Sequence, residues 1–189
     1  MDKPLTGKTV AVLVANGFEE LQMTEPQRAL INAGAVVKIV SPENSLVNGW
    51  LDTAWGHYFP IDVSLSEMLA ADYDALLIPG GVRGFNKLAN NPHTNRVLRG
   101  MVDGGKAMGL LGHSISLLAR AERAAGATVI AMDDHVADLT TAGATIATAE
   151  GDLVVEGKLL TALDTVDPTM LAEEVLKLVS ASGDLAEAA

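Results

Sequence analysis

The chain has 189 residues, 49% of them hydrophobic and 20% charged, with 18 Gly, 7 Pro and no Cys. This suits one compact domain rather than a disordered chain, and the missing cysteine excludes disulfides, thiolate metal sites and thiol nucleophiles together. With 24 acidic against 13 basic residues the net charge is −11, which repels phosphate backbones and argues against a nucleic-acid partner.

No apolar run approaches the roughly 20 residues that span a bilayer. The opening Met1-Asp2-Lys3-Pro4-Leu5-Thr6-Gly7-Lys8 has no apolar signal region, so a cytoplasmic protein without a membrane partner is expected. Thr9 to Val14 is an unbroken, β-branched run of the kind buried on both faces of a parallel sheet. Similar runs at Val36 to Val40, Ala75 to Ile78, Ala107 to Leu111 and Thr128 to Ala131 alternate with helical periodicity, which predicts an α/β sheet covered by helices on both sides.

Three short segments, Asn32 to Val37, Ala124 to Val129 and Thr141 to Ile146, each place a Gly between a helix and a strand. Gly34, Gly126 and Gly143 are read as helix stops in the left-handed conformation. Residues 46–61 break the alternation with two glycines and the aromatics Trp50, Trp55, Tyr58 and Phe59, and are read as a hairpin excursion serving packing or an interface. Asp152 to Glu156 and Lys158 to Ala162 flank Gly157 as a second hairpin. A closing helix is expected over Pro168 to Val179, with residues 180–189 a frayed tail to a single domain whose core runs from about 8 to 179.

In such a sheet ligands bind beyond the carboxyl ends of the strands, so three loops matter. In the first, Thr24 and Gln27 have capping-box spacing and Pro26 suits a first helical turn. This predicts a helix from about Glu25, with Glu19 to Met23 a turn from which Glu19 or Gln22 faces a pocket, or in which Glu19 and Glu20 are solvated charges. The second loop, Pro79-Gly80-Gly81 through Asn86, is either an oxyanion-type turn with backbone N–H groups aimed into a cavity or a plain tight turn. The third turns abruptly from a buried strand into Gly112-His113-Ser114-Ile115-Ser116, the form of a nucleophile elbow with Gly112 at its tip. An elbow tipped by Gly offers no reactive atom. The remaining histidines, His57, His93 and His135, lack the spacing of a metal site and are assigned surface or packing roles; no cofactor is indicated.

Over about Lys8 to Val179 the chain resembles the DJ-1/ThiJ/PfpI superfamily, most closely its PfpI-like branch. The resemblance rests on Gly17-Phe18-Glu19-Glu20 with Thr24-Glu25-Pro26, Trp55-Gly56 through Phe59-Pro60 to Asp62, and Asp72 through Pro79-Gly80-Gly81. Gly105-Lys106-Ala107, Asp138-Leu139 with Ala142-Gly143-Ala144, and Val154-Val155-Glu156-Gly157 complete it. It implies a flavodoxin-like, three-layer α/β/α sandwich of the class I glutamine amidotransferase type, mainly parallel and assembled as a dimer or larger oligomer. Members include thiol amidases or peptidases, glyoxalases, reported deglycases, hydratases, chaperones and stress sensors.

Family enzymes carry Ala-Ile-Cys-His-Gly-Pro at the elbow, where this chain has Leu110-Leu111-Gly112-His113-Ser114-Ile115, so the cysteine becomes Gly112. The glutamate that contacts that cysteine falls on Gln22, and the acid that orients the histidine across a dimer falls on Asn86. The resemblance therefore implies a pseudoenzyme: a non-thiol binding, regulatory or stress-related homo-oligomer. A residual polar pocket of Glu19, Gln22, Gly80, Gly81, Asn86, Gly112 and His113 would take a small polar or anionic ligand. His113 has either a site role or a structural one in a dimer contact. The alternative is a hydrolase or lyase of altered mechanism that uses His113 and possibly Ser114.

Overall fold

The computed structural model of the chain describes residues 3–148 and 150–187, with side chains as far as 182. β1 (Thr9–Leu13) leads through the two-residue β2 (Phe18–Glu19) into α1 (Glu20–Asn32) and β3 (Val36–Ser41). β4 (Leu46–Leu51) and β5 (Ala54–Pro60) form the first hairpin, followed by β6 (Val63–Ser64), β7 (Ala75–Ile78), α2 (Val82–Ala89), α3 (Pro92–Asp103) and β8 (Ala107–Leu111). A 3-10 turn over Gly112–Ser116 precedes α4 (Leu117–Arg120), β9 (Thr128–Val129), α5 (Val136–Thr141) and β10 (Thr145–Ile146). The second hairpin, β11 (Leu153–Glu156) and β12 (Leu159–Ala162), leads to α6 (Pro168–Glu187).

Seven strands form the main sheet in the order β11-β12-β8-β7-β1-β3-β6, and only the β11–β12 pairing is antiparallel. Side chains along β1 alternate between its two faces. Val10 and Val12 pack with Met23, Leu30, Leu171 and Val175 of α1 and α6, whereas Ala11 and Leu13 share the opposite core with Val97, Leu98, Leu117 and Leu139. Two apolar layers thus clamp one sheet. No described helix is long and apolar enough to cross a membrane.

Gly34 and Gly143 follow the caps of α1 and α5 with positive φ, as their helix-stop reading requires. Gly126 also has positive φ, but α4 ends at Arg120 and Gly126 sits in a separate turn before β9, so it is a turn glycine rather than a helix stop. Three other expectations change. The Thr128 run does not join the main sheet: β9 pairs only with β10, and β12 takes the place beside β8. α1 begins at Glu20 rather than near Glu25 and carries Pro26 inside it. Its buried face, Gln22, Met23, Pro26 and Leu30, is one helical stripe, and burying that stripe outweighs the roughly 3 kcal/mol that an internal proline costs. α6 continues past Val179 to Glu187; the last two residues of the expected tail lie outside the described ones.

Candidate functional site

The carboxyl ends of β1, β7, β8 and β12 bring four loops together. Glu19 N–H donates to the Gly80 carbonyl (3.0 Å), which ties the start of α1 to the turn after β7. Gln22, 4% exposed, completes the tie. Its Oε1 accepts from Gly80 N–H (2.8 Å) and its Nε2 donates to the Asp164 backbone carbonyl (3.4 Å). Gln22 therefore acts as a clasp between α1, the Gly-Gly turn and the loop after β12. The Gly80 N–H expected to be available to an oxyanion is already bonded. Gly81 is needed for its φ of +102°, and a Cβ there would lie 2.5 Å from the Gly17 carbonyl.

Gly112 has a φ of +54° at the step from β8 into the 3-10 turn, the strained tip that an elbow requires. A Cβ on Gly112 would overlap Asp164 Oδ1 and stand 2.6 Å from Asp164 Cγ. A Cβ on Gly80 would overlap the same oxygen. The space above the elbow is thus filled by a carboxyl group contributed by a residue 52 positions further along the chain. Asp164 Oδ1 is buried and has no hydrogen-bond partner among the described residues. Burial pushes this carboxyl above the ordinary aspartate range, against the opposing influence of His113 and the Gln22 carboxamide.

Asp164 also faces a cleft of about 280 Å³ with Glu19, Gln22, Trp50, Leu51 and Asp52. Burial raises the Glu19 carboxyl, and the charges of Asp164 and Asp52 raise it further. Three carboxyl groups share one opening with no basic side chain on its lining. Arg83, which lies over the Trp50 ring at 4.1 Å, is outside that lining. Glu20, the other acid of the first loop, is not a solvated charge: it is 5% exposed, and its Oε2 accepts from His57 N–H (2.8 Å) while its Oε1 lies 2.6 Å from His57 Nδ1.

His113 Nδ1 is 2.9 Å from His135 Nε2, the two rings are perpendicular, and Phe85 packs against both. One nitrogen donates and the other accepts, so this contact holds a single proton. Burial lowers the His135 pKa, and His113 lowers it further. Ser114 is fully buried and its hydroxyl donates to the Pro79 carbonyl (2.8 Å), so it anchors the elbow to the neighbouring turn. Asn86 lies on the exposed side of α2, and its carbonyl accepts from the Asn90 side chain. The structure therefore gathers Glu19, Gln22, Gly80, Gly81 and Gly112 at one place, with His113 beside it and Asn86 on the surface. Asp164 carries no motif in the sequence, and His135, expected at the surface or in packing, instead pairs with His113. Among the described residues no group of three or more His, Cys, Asp or Glu side chains is placed to hold a metal ion.

An open parallel sheet with an elbow at the carboxyl end of a central strand defines a class of α/β proteins whose site lies at that strand end. The model of the DJ-1/PfpI family matches residues 8–178, and the chain belongs to that family. An uncharacterized protein of Staphylococcus aureus is 44% identical over 75 residues, and another from Staphylococcus epidermidis is 36% identical over 74. These matches span 39% of this chain and 42% and 41% of the respective relatives, less than half of each. Among solved structures, a two-domain protein of Anabaena variabilis containing DJ-1/ThiJ/PfpI-like and ferritin-like domains aligns with a TM-score of 0.82 at 25% identity. That alignment covers 94% of this chain and 49% of that one. A ThiJ/PfpI domain protein of Brachyspira murdochii aligns with a TM-score of 0.80 at 21% identity, covering 94% and 98%, and oxidized DJ-1 of Toxoplasma gondii with 0.74 at 23%, covering 93% and 90%. The flavodoxin-like three-layer sandwich follows from these likenesses.

Proposed function

We propose that the chain is a binding, regulatory or stress-related member of the family that works without thiol chemistry, as a cytoplasmic homo-oligomer. The observation that carries this reading is the Asp164 carboxyl seated where a side chain on Gly112 would project. A carboxyl there can exchange a proton or accept a hydrogen bond, but it cannot form the thiohemiacetal or thioester on which thiol members depend. Glu19, Asp52 and Asp164 make the elbow cleft acidic, so of the small ligands it could take, neutral hydrogen-bond donors and cations are favoured over anions.

Two contacts weigh against the altered-mechanism hydrolase or lyase. The Ser114 hydroxyl donates to Pro79 and His113 Nδ1 is engaged with His135, so these two residues do not form a hydroxyl–imidazole pair to be activated. For assembly, Leu21, Leu46, Trp55 and Tyr58 are large apolar side chains that are 41%, 48%, 54% and 68% exposed, near the hairpin and the start of α1. Such exposed aromatic area suits a two-fold interface, beside which Asn86 would act only if a second subunit reached it.

The test is turnover of methylglyoxal and of model peptides by the purified protein. The expected rate equals that of buffer alone. Turnover that survives repurification and resists serine-directed reagents would overturn the reading.

A further inference from the structure

Away from the elbow cleft, a hollow of about 390 Å³ opens between α4 and α5. Phe85, Ala119 and Ala142 supply its apolar wall, and Arg120, Asp138 and Thr141 its polar rim. The chain has six arginines. Arg28, Arg99 and Arg123 are in ion pairs, Arg96 donates to backbone carbonyls, and Arg83 lies over Trp50. Arg120 alone forms no such contact among the described residues. Asp138 likewise has no ion-pair partner there, and the two do not pair with each other although both bear on His135 from the same hollow.

An unpaired cation and an unpaired anion at one rim complement a ligand carrying both signs, since each can form a charge-assisted hydrogen bond. A simple anion would meet Asp138 and the chain's net charge of −11; a simple cation would meet Arg120. Burial and His113 both disfavour a positive charge on His135. The volume is at the lower end of small-molecule sites and has room for a single amino acid.

We propose that this hollow binds a free α-amino acid with an apolar side chain. Its carboxylate lies on Arg120, its ammonium on Asp138, and its side chain against Phe85, Ala119 and Ala142. The hollow shares Phe85 and His135 with the His113 contact, but none of its lining residues faces the acidic elbow cleft.

The test is a titration of the 15N-labelled full chain with L-leucine, followed by amide shifts and the Arg120 Nε–H signal. Two controls each lack one charged group: 3-methylbutylamine, without the carboxylate, and 4-methylpentanoate, without the ammonium. Saturable shifts at Arg120, Asp138 and Thr141 are expected with L-leucine, and binding about tenfold or more weaker with either control, the effect of losing one charge-assisted hydrogen bond. Both side chains are exposed, so Arg120→Gln and Asp138→Asn should keep the native circular dichroism. Arg120→Gln should abolish the preference for L-leucine over 3-methylbutylamine, and Asp138→Asn the preference over 4-methylpentanoate. Shifts that never saturate or fall elsewhere, a control that binds as well as L-leucine, or affinity unchanged by both substitutions would each overturn the proposal.

Discussion

If the Asp164 carboxyl occupies the place of a side chain at the elbow, then Gly112 and Asp164 are energetically coupled, and a double-mutant cycle measures that coupling. Gly112→Ala introduces two separable costs. The φ of +54° holds the backbone in the left-handed region, which costs an L residue roughly 1–2 kcal/mol. The new methyl also overlaps Asp164 Oδ1 and lies 2.6 Å from Cγ, so the carboxyl must leave its seat between Gly80 and Gly112. Overpacking of this kind costs about 1–3 kcal/mol, making the single substitution worth roughly 2–5 kcal/mol in all. Asp164→Ala removes the overlap and keeps the backbone carbonyl that accepts from Gln22 Nε2. In that background Gly112→Ala should cost only the backbone share, roughly 1–2 kcal/mol. Urea unfolding of the four proteins, with unchanged m-values, yields the coupling energy directly. Additivity within about 0.5 kcal/mol would refute the seating of Asp164 above Gly112.

Titration of the same carboxyl provides another check. The folded-state pKa of Asp164 is raised, as is that of Glu19, so between the ordinary carboxylate range and the raised values the folded chain binds more protons than the unfolded one. Their contribution to stability therefore increases as pH falls through the raised values and is lost as pH rises above them. His135 has a lowered folded pKa and acts oppositely: its contribution is lost as pH falls from about 6.5 through that lowered value. Asp164→Asn should flatten the acidic limb of the stability profile and His135→Gln the limb below neutrality; a profile unchanged by Asp164→Asn would argue against a buried carboxyl. For assembly, Trp55→Glu should weaken association in sedimentation runs at micromolar concentration while leaving circular dichroism native, because Trp55 is half exposed. Phe59 makes a poorer probe, since its ring packs 5.9 Å from that of Phe18 in the monomer. A clean 19.7 kDa monomer in the unmodified protein would remove the proposed dimer.

The parts of the fold legible in the sequence were those encoded locally. Short apolar runs placed β1, β3, β7 and β8, and Gly157 between two short segments placed the β11–β12 hairpin, because strand burial and turn chemistry act over a few residues. The start of α1 was misplaced because Pro26 is a strong local signal for a first turn. Burial of Gln22 and Met23 is a tertiary effect that no local pattern reports. Glu20 failed similarly: two adjacent acids look solvated until the hairpin brings His57 over one of them.

The candidate site divides along the same line. Gly112, Gly80 and Gly81 could be read as special because loops after buried strands carry function, and Gln22 because a neutral amide stands where the resemblance implies a glutamate. A glycine, however, says only that a side chain is absent; it does not say what fills the space. The filler, Asp164, sits 52 residues away and has no motif of its own, beside an Asp167 whose carboxylate caps α6 in the ordinary way. Two aspartates three residues apart thus do different work, and only their surroundings separate them. Asp167 accepts from the free N–H groups of Thr169 and Met170, whereas Asp164 keeps one oxygen without a partner in a buried setting. A folded protein retains an unsatisfied carboxyl at a cost, and in this chain it is retained at the one strand end where the family architecture gathers its chemistry. Gly112 is therefore better understood as one half of a pair with Asp164 than as a position that merely lacks a side chain.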